Sequence, residues 1–272
     1  MAGASTGPIV LVGGGKMGGA LLAGWLDRGV DPKRVRVIEP NADAAKALAK
    51  MNVPVDADAA ALSDAPDVVV LAVKPQVMDS VAAGYARFAR TGTAFLSIAA
   101  GRTIRSFEKI LGAEAAILRA MPNTPAAVRR GITVVCASAN VTAAQRTLAG
   151  DLLAAVGAVE WIEDEALMDA VTAVSGSGPA YVFLLAEQLA EAGREAGLPA
   201  DMAARLARAT VAGAGELLHK AAEPAATLRQ NVTSPGGTTA EALKVLMADD
   251  GSQPVLTRAV LAATRRSREL AG

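Results

Sequence analysis

The stretch Ile9–Ala20, IVLVGGGKMGGA, constrains this chain more than any other. Ile9, Val10, Leu11 and Val12 are apolar and mostly β-branched, the composition of a short buried strand. Gly13 through Gly18 then read G-x-G-x-x-G. In that pattern Gly13 permits the tight turn off the strand, Gly15 lets the backbone approach a pyrophosphate, and Gly18 lets the next helix pack closely. The spacing of Leu21, Leu22, Trp25 and Leu26 predicts a helix over about Met17–Arg28. Its open N–H groups and positive dipole end suit a phosphate. A second strand, Val35–Ile38, ends in Glu39, about 20 residues past the glycines, where a ribose-binding acid belongs. A P-loop is excluded, because Lys16 is followed by Met17 and the glycine spacing is wrong. Gly13, Gly15, Lys16, Met17 and Glu39 are therefore candidate cofactor-binding residues.

From residue 8 to about 162, short apolar runs alternate with helical patterns. Further strands are expected near Val53–Val55, Asp67–Val73, Ala94–Ile98, Ala115–Arg119, Ile132–Cys136 and Ala158–Ile162. Helices are expected over Ala42–Met51, Gln76–Ala89, Thr103–Leu111 and Ala143–Val156. This alternation means a doubly wound α/β sheet of Rossmann type. After Glu163 the strand signals stop. Helices are expected at about Glu165–Ala173, Pro179–Ala196, Ala200–Lys220, Pro224–Gln230, Thr239–Met247 and Pro254–Leu270, with prolines at or near several of their starts. Two domains follow: a dinucleotide-binding domain over 1–163 and an all-helical domain over 164–272.

Composition removes several chemistries. The 272 residues have 52% hydrophobic content and no net charge, which argues against electrostatic binding of nucleic acid. No apolar run approaches the length of a spanning helix, and no secretory signal is present, so a cytoplasmic protein is expected. Cys136 is the only cysteine and reads as a small core residue. His219 is the only histidine and reads as structural. Neither a metal cluster nor a Ser/His/Asp or Cys/His site has its raw material. The chemistry must come from a cofactor and a few hydroxyl, amide or lysine groups.

The helical domain has two glycine-rich breaks. In Ser175-Gly176-Ser177-Gly178-Pro179, Ser177 or Gly178 reads as a helix cap with Pro179 at the first helical position. In Ser234-Pro235-Gly236-Gly237-Thr238-Thr239-Ala240-Glu241, Thr238 and Glu241 fit a capping box. Two hydroxyl-rich helix starts can also bind a small carboxylate through free N–H groups. The helix Leu206–Leu218 is small or apolar around most of its circumference and wants burial on all sides. A twofold dimer supplies that; the alternative is a central helix within its own bundle.

GGGKMGGA, LAVKPQ, SIAAG, RAMPNTPA, VTAVSGSGPAYVF and SPGGTTAEAL occur in this order. Together they resemble the pyrroline-5-carboxylate reductase family over nearly the whole chain. The resemblance implies a Rossmann domain with a helical dimerisation domain, and hydride transfer from NADPH or NADH to a cyclic imine carboxylate in the last step of proline synthesis. It implies a homodimer or larger homo-oligomer, and no metal, membrane or nucleic acid.

By position in those motifs, Thr239 is the catalytic hydroxyl, placed near the ring nitrogen. Backbone N–H groups around Gly237, Thr238 and Thr239, with Ser234, hold the carboxylate, and Ser177 adds to the substrate side. Met121 and Asn123 belong to the pocket for the nicotinamide and substrate. Ala72, Val73, Lys74 and Pro75 lie at the C-terminal end of a strand, the ligand-binding edge of open α/β sheets; Lys74 faces phosphate or ribose, or is a surface lysine at a helix start. Ala99 touches the nicotinamide ribose. Lys16 stands where the family's motif most often has Asn, and only its backbone N–H matters. Glu39, with no arginine close after it, predicts that NADH serves at least as well as NADPH.

Three rivals remain open. β-Hydroxyacid dehydrogenases share the glycine turn but use a lysine on the helix after a glycine-rich turn, and Pro179–Ala196 has no lysine. A reductase of another cyclic imine is a second. The third, a nucleotide sensor, has no need of SPGGTT.

Overall fold

The computed structural model describes residues 7–271; the ends of the two expected domains, 1–6 and 272, lie outside them. The described residues divide into two compact units. One runs up to Gly176 and takes in the chain from Thr264 on; the other is Ser177–Ala263.

The first unit is built on an eight-stranded sheet. Its strands are β1 (Ile9–Val12), β2 (Val35–Ile38), β3 (Val55–Asp56), β4 (Val68–Leu71), β5 (Ala94–Ser97), β6 (Ala116–Met121), β7 (Gly131–Ala137) and β8 (Gly157–Ile162). The spatial order is β3-β2-β1-β4-β5-β6-β7-β8. The chain steps outward from β1 to β3, then returns to place β4 on the other side of β1. That reversal opens a crevice at the C-terminal ends of β1 and β4, where ligands bind in such sheets. β1 and β4 are buried along their whole length, which is why both are continuous apolar runs.

Every neighbouring pair is parallel except β6–β7, whose register sets Arg119 opposite Cys136. Only residues 122–130 join β6 to β7, with a 3₁₀ turn over Thr124–Val128. A parallel crossover needs about a dozen residues or more, so this connection returns antiparallel.

The sheet is covered by α1 (Lys16–Asp27), α2 (Ala42–Ala49), α3 (Met78–Ala83), α4 (Ile104–Leu111) and α5 (Ala143–Ala154). Leu21, Leu22 and Trp25 of α1 pack with Leu152 and Leu153 of α5 on one face. Met78 of α3 and Phe107 of α4 pack on the other. The buried Trp25 indole donates to the Leu152 carbonyl at 2.9 Å, so the one polar atom of this large side chain is satisfied inside the core. The single helix expected over 76–89 is instead three pieces: a 3₁₀ turn at Pro75–Val77, then α3, then a 3₁₀ turn at Ala86–Phe88.

Beyond β8 the chain is helical. α6 (Met168–Val171) runs into a π-helical turn, Thr172–Gly176. The helices α7 (Gly178–Glu195), α8 (Ala200–Lys220), α9 (Ala225–Asn231), α10 (Thr238–Leu246) and α11 (Ser252–Ala271) follow. α7 and α8 form a hairpin whose corner turns at Gly197, with φ +99°. Gly193 lies close to Ala203 there, and Ala203 and Ala207 are buried.

Leu206, Leu217 and Leu218 of α8 stay about half exposed, as do Leu184 and Leu185 of α7, while Phe183 is 62% exposed. The alternative of α8 as a central helix enclosed by its own bundle is therefore not what the chain builds. No described helix is long and apolar enough to cross a membrane.

Candidate active site

The glycine turn closes as its sequence dictates. The Gly13 N–H donates to the Ile38 carbonyl at 2.9 Å, and Gly13 has φ +94°. A Cβ there would come 2.8 Å from the Ala72 carbonyl oxygen, so the chain leaving β4 passes too close for any side chain. A Cβ on Gly18 would meet the Gly13 carbonyl oxygen, the close helix–strand approach expected of the third glycine. Gly15 is the N-cap of α1, with open space around it and no side-chain cap bond. The first helical bond runs from Gly19 N–H to the Gly15 carbonyl at 2.8 Å. The N–H groups of Lys16, Met17 and Gly18 have no intrahelical acceptor and suit a pyrophosphate. Lys16 is exposed, and Met17 packs partly on the core, so both offer backbone rather than side chain to this turn.

Glu39 braces the turn. Its Oε2 accepts from Gly14 N–H at 2.8 Å and its Oε1 from Asn41 N–H at 2.9 Å. Each oxygen keeps a lone pair for a ribose hydroxyl. A cleft of about 500 Å³ opens beside it, lined by Gly13, Glu39, Asp58, Val73, Val77 and Tyr85 among others. Among the described residues that line this cleft there is no lysine or arginine. Asp58 and Tyr85 escaped the sequence reading. Asp58 follows β3, whose end lies on the same sheet edge as Glu39, and that was its only signal. Burial holds the Tyr85 hydroxyl well above the usual phenol range, with the Asp58 charge adding to the shift. The cleft and the uncapped turn fit a dinucleotide.

The remaining cofactor candidates sit along the same edge. Ala72 and Val73 leave β4 half-buried, Lys74 is exposed, and Pro75 opens the 3₁₀ turn. Ala99 is buried, and its N–H goes to the Ser97 hydroxyl at 3.3 Å, so its side chain belongs to the core and its amide is engaged.

Met121 ends β6, and Asn123 stands two residues on. The Asn123 Oδ1 accepts from Ile132 N–H at 2.9 Å, and its Nδ2 donates to the Ser175 carbonyl at 3.2 Å. Met121 lies against Gly176, where a Cβ would come 2.5 Å from its Cε. Behind this loop, Arg119 is 5% exposed and bonds Glu165 at 2.7 Å, and the same Glu165 oxygen accepts from Ile104 N–H at 2.9 Å. Burial pushes the nearby Cys136 thiol up; Glu165 and Glu163 add to this, and Arg119 opposes it. Among the described residues, no group of three or more His, Cys, Asp or Glu side chains is placed to hold a metal ion.

In the second unit, the capping box expected at Thr238 and Glu241 does not form. α10 starts one residue earlier, with Gly237 as N-cap and no side-chain cap bond. The Gly237 N–H donates to the Ser234 carbonyl at 3.0 Å, so it is not open to a carboxylate as expected. The first helical bond is from Glu241 N–H to the Gly237 carbonyl at 3.3 Å. The open donors are the N–H groups of Thr238, Thr239 and Ala240, and Ala240 is the one the sequence reading missed. Glu241 instead pairs with Lys244. Ser177 is the N-cap of α7 and makes no side-chain cap bond. His219 is exposed in the last turn of α8.

Residues 165–270 match the family described as pyrroline-5-carboxylate reductase dimerisation. Over 269 residues, 98% of each chain, the sequence is 43% identical to a pyrroline-5-carboxylate reductase of Pseudomonas aeruginosa. The chain belongs to the pyrroline-5-carboxylate reductase family. A reductase of this name from Synechocystis is 42% identical, covering 96% of this chain and 97% of its own. Among solved structures, a pyrroline-5-carboxylate reductase from Coxiella burnetii superposes with a TM-score of 0.94 at 37% identity, covering 98% of this chain and 100% of its own. One from Plasmodium falciparum, with NADP bound, gives 0.82 at 29%, covering 99% and 100%. Residues 8–101 also match the family described as NADP oxidoreductase coenzyme F420-dependent, which covers the glycine turn, Glu39 and Ala99 of this reductase.

Proposed function

We propose that this chain reduces 1-pyrroline-5-carboxylate to L-proline with hydride from NADPH or NADH, as the last step of proline biosynthesis in the cytoplasm. Residues 1–163 hold the dinucleotide; residues 164–272 bind substrate and form the homodimer. The exposed apolar faces of α7 and α8 support the second role.

The observation that carries the reading is the uncapped start of α10, coming after an uncapped start of α1. The first suits a small carboxylate and the second a pyrophosphate. The amides of residues 16–18, Glu39 at a ribose and the edge from Ala72 to Pro75 would hold the dinucleotide, with Ala99 offering only its carbonyl beside them. When bound, the reduced nicotinamide supplies a hydride for the imine carbon.

Everything else is positioning. The Thr238, Thr239 and Ala240 amides, with Ser234, take the substrate carboxylate. The Thr239 hydroxyl bonds the ring nitrogen, and Ser177 adds a second hydroxyl on the substrate side. Reduction of the C=N bond needs a hydride at carbon and a proton at nitrogen, so the residues of the chain have to hold the imine carbon toward the hydride and leave its nitrogen open to a proton. Threonine is too weak an acid to drive this by itself; its contribution is orientation and a hydrogen bond aimed at the nitrogen.

The test follows the absorbance of reduced cofactor with purified protein. Loss of absorbance only when the five-membered cyclic imine is added supports the reading. No loss with either cofactor, or loss only when the carbonyl form of a β-hydroxyacid is added, overturns it.

A further inference from the structure

Asn123 was expected to face the nicotinamide and substrate, yet both ends of its amide already have work within the protein. The reason lies in the helical backbone. Pro179, four residues after Ser175, has no N–H to give, so the Ser175 carbonyl cannot make an ordinary helical bond. The next N–H, that of Ala180, goes to the Ser177 carbonyl at 3.0 Å. The helix widens here into the π turn Thr172–Gly176, in which the Thr172 and Ser175 hydroxyls bond the carbonyls four residues back. Single π turns of this kind gather at functional sites. The Ser175 carbonyl takes its donor from outside the helix, from Asn123 Nδ2 at 3.2 Å. The other end of the amide, Oδ1, takes Ile132 N–H at 2.9 Å and so closes the base of the β6–β7 connection.

We propose that Asn123 is a positioning residue, whose amide couples the Met121–Thr124 loop to the π turn and thereby fixes Met121 against Gly176. Only an amide of this length serves. One end must donate to a carbonyl and the other must accept from an N–H. A carboxylate keeps the Ile132 bond but sets a charged acceptor against the Ser175 carbonyl. Hydride transfer depends on placement at sub-ångström tolerance, so loosening this brace lowers turnover more than binding. The inference rests on the imine-reductase reading.

The experiment measures Asn123→Asp by steady-state kinetics, cofactor titration and melting. The expected result is a kcat lowered about tenfold or more, with NADH Kd and imine KM within about threefold of the parent. In a Pro179→Ala background, which restores a backbone N–H for Ser175, the loss caused by Asn123→Asp should be smaller, a non-additivity that a mere loss of stability does not produce. Should Asn123→Asp not fold, Asn123→Ser, too short to reach Ser175, is read by the same split.

A kcat equal to the parent's, a raised NADH Kd at unchanged kcat, or losses that add across the two backgrounds each overturn the proposal. A parent that does not turn over the imine defeats the functional reading instead. The brace is then read by hydrogen exchange across residues 172–181, faster in Asn123→Asp if the proposal holds and unchanged if it does not.

Discussion

Glu39 and Gly14 are tied to each other: the carboxylate Oε2 accepts the glycine N–H at 2.8 Å. The acid at the end of β2 thus shapes the pyrophosphate turn and offers its charge to the ribose. A 2′-phosphate there meets a carboxylate with a second, Asp58, lining the same cleft, and no cation among the lining residues. NADH should give a catalytic efficiency at least equal to that of NADPH. Glu39→Gln keeps an acceptor for Gly14 and removes the charge, so it should move the NADPH-to-NADH efficiency ratio upward by about tenfold, some 1.4 kcal/mol of differential stabilisation. A parent enzyme that strongly favours NADPH contradicts this.

Thr238 and Thr239 are adjacent and should behave differently. Gly237, not Thr238, caps α10, so Thr238→Ala should change stability by no more than about 0.5 kcal/mol. Thr239→Ala removes the hydrogen bond proposed at the imine nitrogen and should cost about 2–4 kcal/mol of transition-state stabilisation, roughly thirty- to a thousand-fold in rate. Thr239→Ser keeps the hydroxyl and should lose much less, the cost being the freer rotamer of an unbranched side chain. Melting curves and saturating-cofactor kinetics on the three variants decide it; a Thr239→Ala enzyme as fast as the parent removes Thr239 from the mechanism.

These two sites show what was legible in the residues. The glycine turn and Glu39 could be read because each glycine answers a local steric demand, and those demands sit within one strand–turn–helix unit. α10 starts one residue before the position its sequence points to: T-T-x-E satisfies a capping box on paper, whereas the Ser234 carbonyl draws in the Gly237 N–H and lets the helix begin at Thr238. The antiparallel β6–β7 pair is legible in the shortness of its connection and not in the alternation of strands and helices, which carries no strand direction. The role of Asn123 was not local at all: it follows from Pro179 starving Ser175 of a donor 52 residues away from Asn123.

The α8 surface gives a test of assembly. Ala212 is exposed on the single chain, so a carboxylate placed there is harmless to a monomer. In a dimer that covers α8, an unpaired charge must be buried, which is costly enough to prevent packing. Ala212→Glu should therefore lose dimer and activity together, read by sedimentation and by turnover. A variant that stays dimeric and active places the interface elsewhere.

Cys136 should be inert in the native protein. It is 2% exposed, and burial raises its thiol, so little thiolate exists at neutral pH and little of it is reachable. A disulfide-exchange reagent should register no thiol until denaturant is added, and then one. Rapid reaction of the native protein contradicts the packing around β7.

The central claim is the transfer of hydride to the imine carbon. Its most direct test incubates the protein with 1-pyrroline-5-carboxylate and NADH carrying deuterium at both C4 positions, and then analyses the amino acid formed. The account predicts L-proline with a single deuterium, located on C5, the former imine carbon. Formation of no proline, or of proline without deuterium at that carbon, contradicts it.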